Sequence, residues 1–147
     1  MPNENVPALQ GKWRIVLTDS GKRVLLVGFA GEHHYSHGPE MASQLRSAVA
    51  AERPDGILVD LLQYDYEFGN DVCGVFTGGY HKESRTVVPT CIVAAGRTRA
   101  CMEALYTAGN FKLEPYLGFA ADIADGLAWL SGSRNGAAEQ GDEADER

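Results

Sequence analysis

Residues 57 to 62 run Ile-Leu-Val-Asp-Leu-Leu, with Asp60 the single polar member. A helical pattern stops at Arg53, and Pro54-Asp55-Gly56 supplies a turn before the run. An apolar run this short, bounded by turn residues, predicts a strand buried on both faces, as in a parallel sheet flanked by helices. Ile57 to Leu62 is therefore expected to be the central strand. Upstream, Trp13 to Thr18 alternates, with Trp13, Ile15 and Leu17 on one face, which predicts a half-exposed strand. The turn Asp19-Ser20-Gly21 leads to a more apolar strand over Val24 to Phe29, and the two form a hairpin. The polar stretch Gly31 to Gly38 reads as a loop. Pro39 then suits a first helical turn, and Met41, Leu45, Ala48 and Val49 make one apolar stripe.

Beyond the central strand, Gln63 to Gly69 is an acidic, aromatic loop, and Asn70 is placed to cap a helix carrying Val72, Val75 and Phe76. Gly78-Gly79 is expected to end or distort that helix. Val87 to Ala95 reads as another buried strand, with Pro89 near its start where a missing donor is tolerated. A helix is predicted over Arg99 to Ala108 with Gly109 after it, then a weaker edge strand over Leu113 to Phe119. Ile123, Leu127 and Leu130 mark a last helix closed by Gly132. The order ββαβαβαβα predicts an α/β fold: a mixed, mostly parallel five-stranded sheet with about four helices and an antiparallel strand at one edge. The domain spans 12–132, after a loose lead-in over 1–11 and before a disordered acidic tail over 133–147.

Charge refines this picture. The chain of 147 residues carries a net charge of −7. Five acids against Arg134 and Arg147 place −3 of that after residue 132, which leaves −4 on the body. A mildly acidic body excludes a nucleic-acid surface, which needs a concentrated basic patch. No apolar run approaches the ~20 residues that span a bilayer. Three cysteines at no zinc-finger spacing suit a reduced, cytoplasmic chain with free thiols.

Three stretches carry a resemblance: VLLVGFAGE before the first helix, GILVDL in the middle, and LEPYLGFAADIADGLAWL at the end. Together with the element order they resemble the STAS domain of anti-sigma-factor antagonists and sulfate-transporter tails, over roughly residues 12 to 132. The resemblance implies a non-enzymatic module that binds a protein partner or senses a small ligand. The family's switch is a Ser or Thr opening the helix after the central strand. Here that place reads Glu67-Phe68-Gly69-Asn70-Asp71, with no Ser or Thr from Leu61 to Phe76. A second stretch, VVPTCIVAAGRTRACMEAL, looks like the segment of crotonase-type folds that carries a nucleophilic serine, with Arg99 and Cys101 near its place. The glycine-rich oxyanion loop expected with it is missing from LQYDYEFG, which holds one glycine.

In a parallel sheet the loops after the strands share one rim, where ligands bind. Glu32, His33, His34 and His37, with Glu40, follow the second strand. Asp65 and Glu67, with Cys73, follow the central one, and Arg97, Thr98 and Arg99, with Cys101, follow the next. His81 is expected at the opposite end. Imidazoles beside a thiolate or carboxylates suit a transition metal, which makes His33, His34, His37 and Cys73 a candidate set. Arg97, Thr98 and Arg99 at a helix start suit an anion. The ordinary roles of the same residues are solvated loop histidines, an N-cap threonine and a core cysteine, with Cys101 beside Leu105 and Ala108. Tyr64, Asp65, Tyr66 and Glu67 form a partner-binding surface or simply cover the sheet end, and Asp60 is expected to be hydrogen-bonded without serving as a general base. The expectation is a non-enzymatic module, without cofactor, binding a protein partner or a small anionic ligand and open to homodimerisation. The alternative is a small crotonase-like or metal-dependent enzyme using the His/Cys/Arg rim.

Overall fold

The computed structural model describes residues 9–34, 36–66, 71–81 and 86–131. Strands β1 (Gln10–Leu17) and β2 (Arg23–Glu32) form the hairpin, followed by α1 (His37–Glu52) and β3 (Gly56–Asp65). A 3-10 turn (Asp71–Val75), the short strands β4 (Tyr80–His81) and β5 (Thr86–Val87), and β6 (Thr90–Val93) come next. The chain continues through α2 (Gly96–Ala108), β7 (Leu117–Ala120) and α3 (Ile123–Ser131). The main sheet has the order β1-β2-β3-β6-β7, so β3 is its middle strand. Only β1 is antiparallel to its neighbour; β2, β3, β6 and β7 are parallel. β4 and β5 pair antiparallel as a separate ribbon.

Alternation along the strands sorts the core into two layers. Leu25, Val27 and Phe29 of β2, with Ile57, Val59 and Leu61 of β3, pack against Met41, Leu45, Ala48 and Val49 of α1. Met102 and Tyr106 of α2 join the same layer. On the other face Val24, Leu58, Cys91, Val93 and Ala120 meet Leu130, with Ile123, Leu127 and Trp129 of α3 partly covered. α3 has nine residues and lies against β3, β6 and β7. It sits close because residue 126 is glycine: a Cβ there would come within 2.8 Å of Leu58.

Several expected boundaries move. The described residues hold three α-helices, because the segment carrying Val72, Val75 and Phe76 is a 3-10 turn. Its glycines press on α1: a Cβ on Gly74 would lie 2.7 Å from Ala42, and one on Gly78 would overlap Leu45. That close fit, with glycine's low helix propensity, favours a tight turn over a helix. The strand expected from Val87 starts at Thr90, because Val87 belongs to the β4–β5 ribbon and Pro89 has no N–H to give the sheet. The strand expected from Leu113 begins at Leu117, after a turn over Glu114–Pro115. β1 already includes Gln10 and Gly11, inside the expected lead-in. α1 opens at His37 and α2 at Gly96, earlier than their patterns suggest. Gly96 has φ 58°, a left-handed conformation that glycine adopts without strain. After α2 the left-handed residue is Asn110, not Gly109. The acidic tail lies outside the described residues.

Candidate functional site

A register shift beside Asp60 decides which face the end of β3 presents to the rim. Gly28 of β2 stands opposite Asp60, but Ala30 stands opposite Gln63, so β3 holds one extra residue between those pairs. That is a β-bulge, and it releases backbone groups from the ladder. The Asp60 carboxylate accepts the Leu62 N–H at 3.0 Å, within the bulge. Before the bulge the odd-numbered side chains Ile57, Val59 and Leu61 face the α1 layer; after it Tyr64 and Tyr66 do. Without the slip both rings would turn to the other side of the sheet.

The bulge delivers Tyr64 to the histidines. Its hydroxyl lies 2.6 Å from His33 Nδ1 and 3.4 Å from His37 Nδ1. The His34 N–H donates to His37 Nδ1 at 3.2 Å, which makes that nitrogen an acceptor. His37 is buried, whereas His33 and His34 are half-buried. The His33 ring also stands edge-on to Tyr66, with centroids 5.1 Å apart. The His33 N–H donates to the Asp65 carbonyl at 2.8 Å, tying the first loop to the end of β3. His34 Nδ1 is 3.0 Å from the Ser36 hydroxyl.

α2 is stitched to the same strand end. The Thr98 hydroxyl donates to the Tyr64 carbonyl at 3.0 Å and accepts the Tyr66 N–H at 3.1 Å. It therefore bridges two elements; the N-cap is Ala95, with no side-chain capping bond. Arg97 Nη2 donates to both carboxylate oxygens of Asp65, at 2.8 and 3.0 Å, with both side chains half exposed. Arg99 pairs with Glu103 at 3.3 Å, one helical turn on.

The structure thus joins His33, His34, His37, Tyr64, Asp65, Tyr66, Arg97 and Thr98 into one connected rim from three loops. Arg99 turns along its own helix. Tyr64 and Tyr66 are 3% and 2% exposed, so their rings close the sheet end, and the most exposed of these rim groups are Asp65 and Arg97. Cys73 lies in the 3-10 turn, partly buried against the core. Among the described residues no group of three or more His, Cys, Asp or Glu is disposed to hold a metal ion. Glu67 lies outside the described residues, as does the side chain of His81.

Thiol chemistry finds little support in the geometry. Burial pushes the Cys91 thiol up to about 12, with the Arg99 charge pulling it back more weakly. Cys101 and Leu105 are partly covered against the core, while Ala108 is exposed. The buried face of α2 is Thr98, Met102 and Tyr106. Asp60's place in the bulge was the residue role hardest to foresee. Its signal is the parity break between Leu61 and Tyr64.

Solved structures share this fold. An anti-sigma factor antagonist from Mycobacterium paratuberculosis superposes with a TM-score of 0.56 at 19% identity, over 82% of this chain and 94% of its own. A protein of the DUF3478 family with a SpoIIAA-like fold, from Shewanella loihica PV-4, gives 0.54 at 18% identity, over 86% and 98%. A serine-to-glutamate variant of RsbS from Moorella thermoacetica gives 0.53 at 17%, over 86% and 97%. No protein-family model and no curated protein matches the chain's sequence. The fold is SpoIIAA-like, that of STAS domains. No helix among the described residues is long and apolar enough to cross a membrane.

Proposed function

We propose that this protein is a non-enzymatic STAS-like module that binds a protein partner through the exposed part of the rim, centred on Asp65 and Arg97. The observation that carries the reading is how the rim's polar groups are used. Tyr64 and Thr98 bond within the protein, and the most exposed groups left on the rim are the charged pair of Asp65 and Arg97. Such a surface gives orientation and charge complementarity to a partner; it presents no activated nucleophile. The absence of Ser and Thr from Leu61 to Phe76 makes binding constitutive, without a phosphoserine switch at that place. A photo-crosslinking amino acid at exposed position Ala95, beside Arg97, with one at Ala104 on the outer face of α2 as control, tests this in the native cell. One dominant protein captured from position 95 and not from 104 supports the proposal. Equal or no capture from the two positions contradicts it.

A further inference from the structure

The face of the sheet opposite the rim histidines holds a second feature. α3 covers β3, β6 and β7 but leaves the β1 side of that face open. There a cleft of about 320 Å³ is lined by Lys12, Trp13, Arg14, Leu26, Gly28 and Asp60. Lys12, Gly28 and Asp60 stand in one row across three strands, because Lys12 pairs with Gly28 and Gly28 with Asp60. Neighbouring strands are about 4.8 Å apart, so the backbones of Lys12 and Asp60 are about 10 Å apart. The residue between them has no side chain, which makes the notch. A Cβ built on Gly28 would meet nothing closer than Asp60, at 3.9 Å, so the space is open and not a packing necessity.

The charges around this notch are unspent. Among the described residues neither Lys12 nor Arg14 has an ion-pair or side-chain hydrogen-bond partner, and neither is paired with Asp60. One Asp60 oxygen is held by the Leu62 N–H; the other leans over Gly28. Two cations and one carboxylate thus face a shared cleft without neutralising each other, with Leu26 supplying apolar wall. We propose that this cleft binds a small amphoteric molecule. Its anionic group meets Lys12 and Arg14, its protonated amine meets Asp60, and its apolar body lies over Gly28 against Leu26. The site lies on the other face of the sheet from the rim histidines and shares Asp60 with the bulge.

The test is titration of the full-length, isotope-labelled protein with 6-aminohexanoate, hexanoate and hexylamine, followed by amide chemical shifts. Saturable shifts at Lys12, Gly28, Asp60 and Leu62 are expected with 6-aminohexanoate. The two singly charged probes should bind at least about tenfold more weakly, the loss of one charge-assisted contact. Asp60→Asn keeps an acceptor for the Leu62 N–H while removing the charge, and should reduce 6-aminohexanoate binding to the level of hexanoate. Lys12→Gln with Arg14→Gln should reduce it to that of hexylamine. Gly28→Val, which fills the notch, should abolish the shifts while the remaining spectrum stays native. Equal binding of the three probes, no saturable shifts in the cleft, or undiminished binding to the Gly28→Val protein overturns the proposal.

Discussion

Thr98→Val isolates the bond pair that fastens α2 to the end of β3. The substitution keeps the shape of the side chain and removes the hydroxyl, which donates to the Tyr64 carbonyl and accepts the Tyr66 N–H. Thr98 is 7% exposed, so water cannot replace it without rearrangement. A buried donor or acceptor left without its partner costs roughly 1–3 kcal/mol. The Tyr66 N–H carries the larger share, since a carbonyl has a second lone pair to use. Exchange of the hydroxyl for a methyl group returns up to about 0.8 kcal/mol of apolar burial. The net expectation is a loss of about 2–3 kcal/mol, a large fraction of the roughly 5–15 kcal/mol that holds a domain together. Thr98→Ser keeps both bonds and gives up one methyl group, at about 1 kcal/mol. Urea unfolding followed by the fluorescence of Trp13 and Trp129 reads both variants against the parent, with unchanged m-values as the check on two-state behaviour. A valine variant within 0.5 kcal/mol of the parent, or a serine variant as unstable as valine, refutes the reasoning.

Other consequences follow from the same geometry. Asp60→Ala removes the acceptor of the Leu62 N–H, so hydrogen exchange at Leu62, Tyr64 and Tyr66 should accelerate together, whereas Asp60→Asn should leave all three slow; acceleration confined to Leu62 would separate the bulge from the rim. The Cys91 thiol, raised to about 12 in the folded protein, is protonated in both states at neutral pH. Above the ordinary thiol value of about 8.5 the unfolded chain loses this proton first, so stability falls as pH rises from there towards 12. Cys91→Ala should flatten that alkaline decline of the urea midpoint, and an identical slope would contradict it. Incubation with cell extract and ATP should leave no stoichiometric phosphate on Gln63 to Gly79, where the hydroxyl-bearing residues are Tyr64, Tyr66 and Thr77; phosphate mapped there by mass spectrometry would show a switch.

What could be read from the chain depended on range. The central strand, the α1 stripe at Met41, Leu45, Ala48 and Val49, and the position of α3 were legible because each is a local periodicity with a buried face. The parallel sheet followed from helices standing between apolar strands. The 3-10 turn was hidden because Gly74 and Gly78 matter through contact with α1, which lies about thirty residues earlier in the chain. The bulge was hidden for a similar reason. Asp60 appears as one polar residue in an apolar run, and its role exists only once Gly28 and Ala30 fix the register of β2 against β3. Thr98 sits where a helix cap is expected, yet its partners are at the end of β3. The rim loops could be assigned to one end of the sheet from topology alone; which side chains meet there required the register.

Charge reversal at the rim tests the central claim most directly. Asp65→Arg and Arg97→Glu each break an exposed pair whose contribution to stability is below about 1 kcal/mol, so both proteins should remain folded. Crosslinked capture, with the probe at exposed position Ala95, is then compared among the parent and both variants. The account predicts that each reversal abolishes capture of the dominant partner while the melting temperature shifts by no more than a few degrees. Capture undiminished in both variants would contradict it.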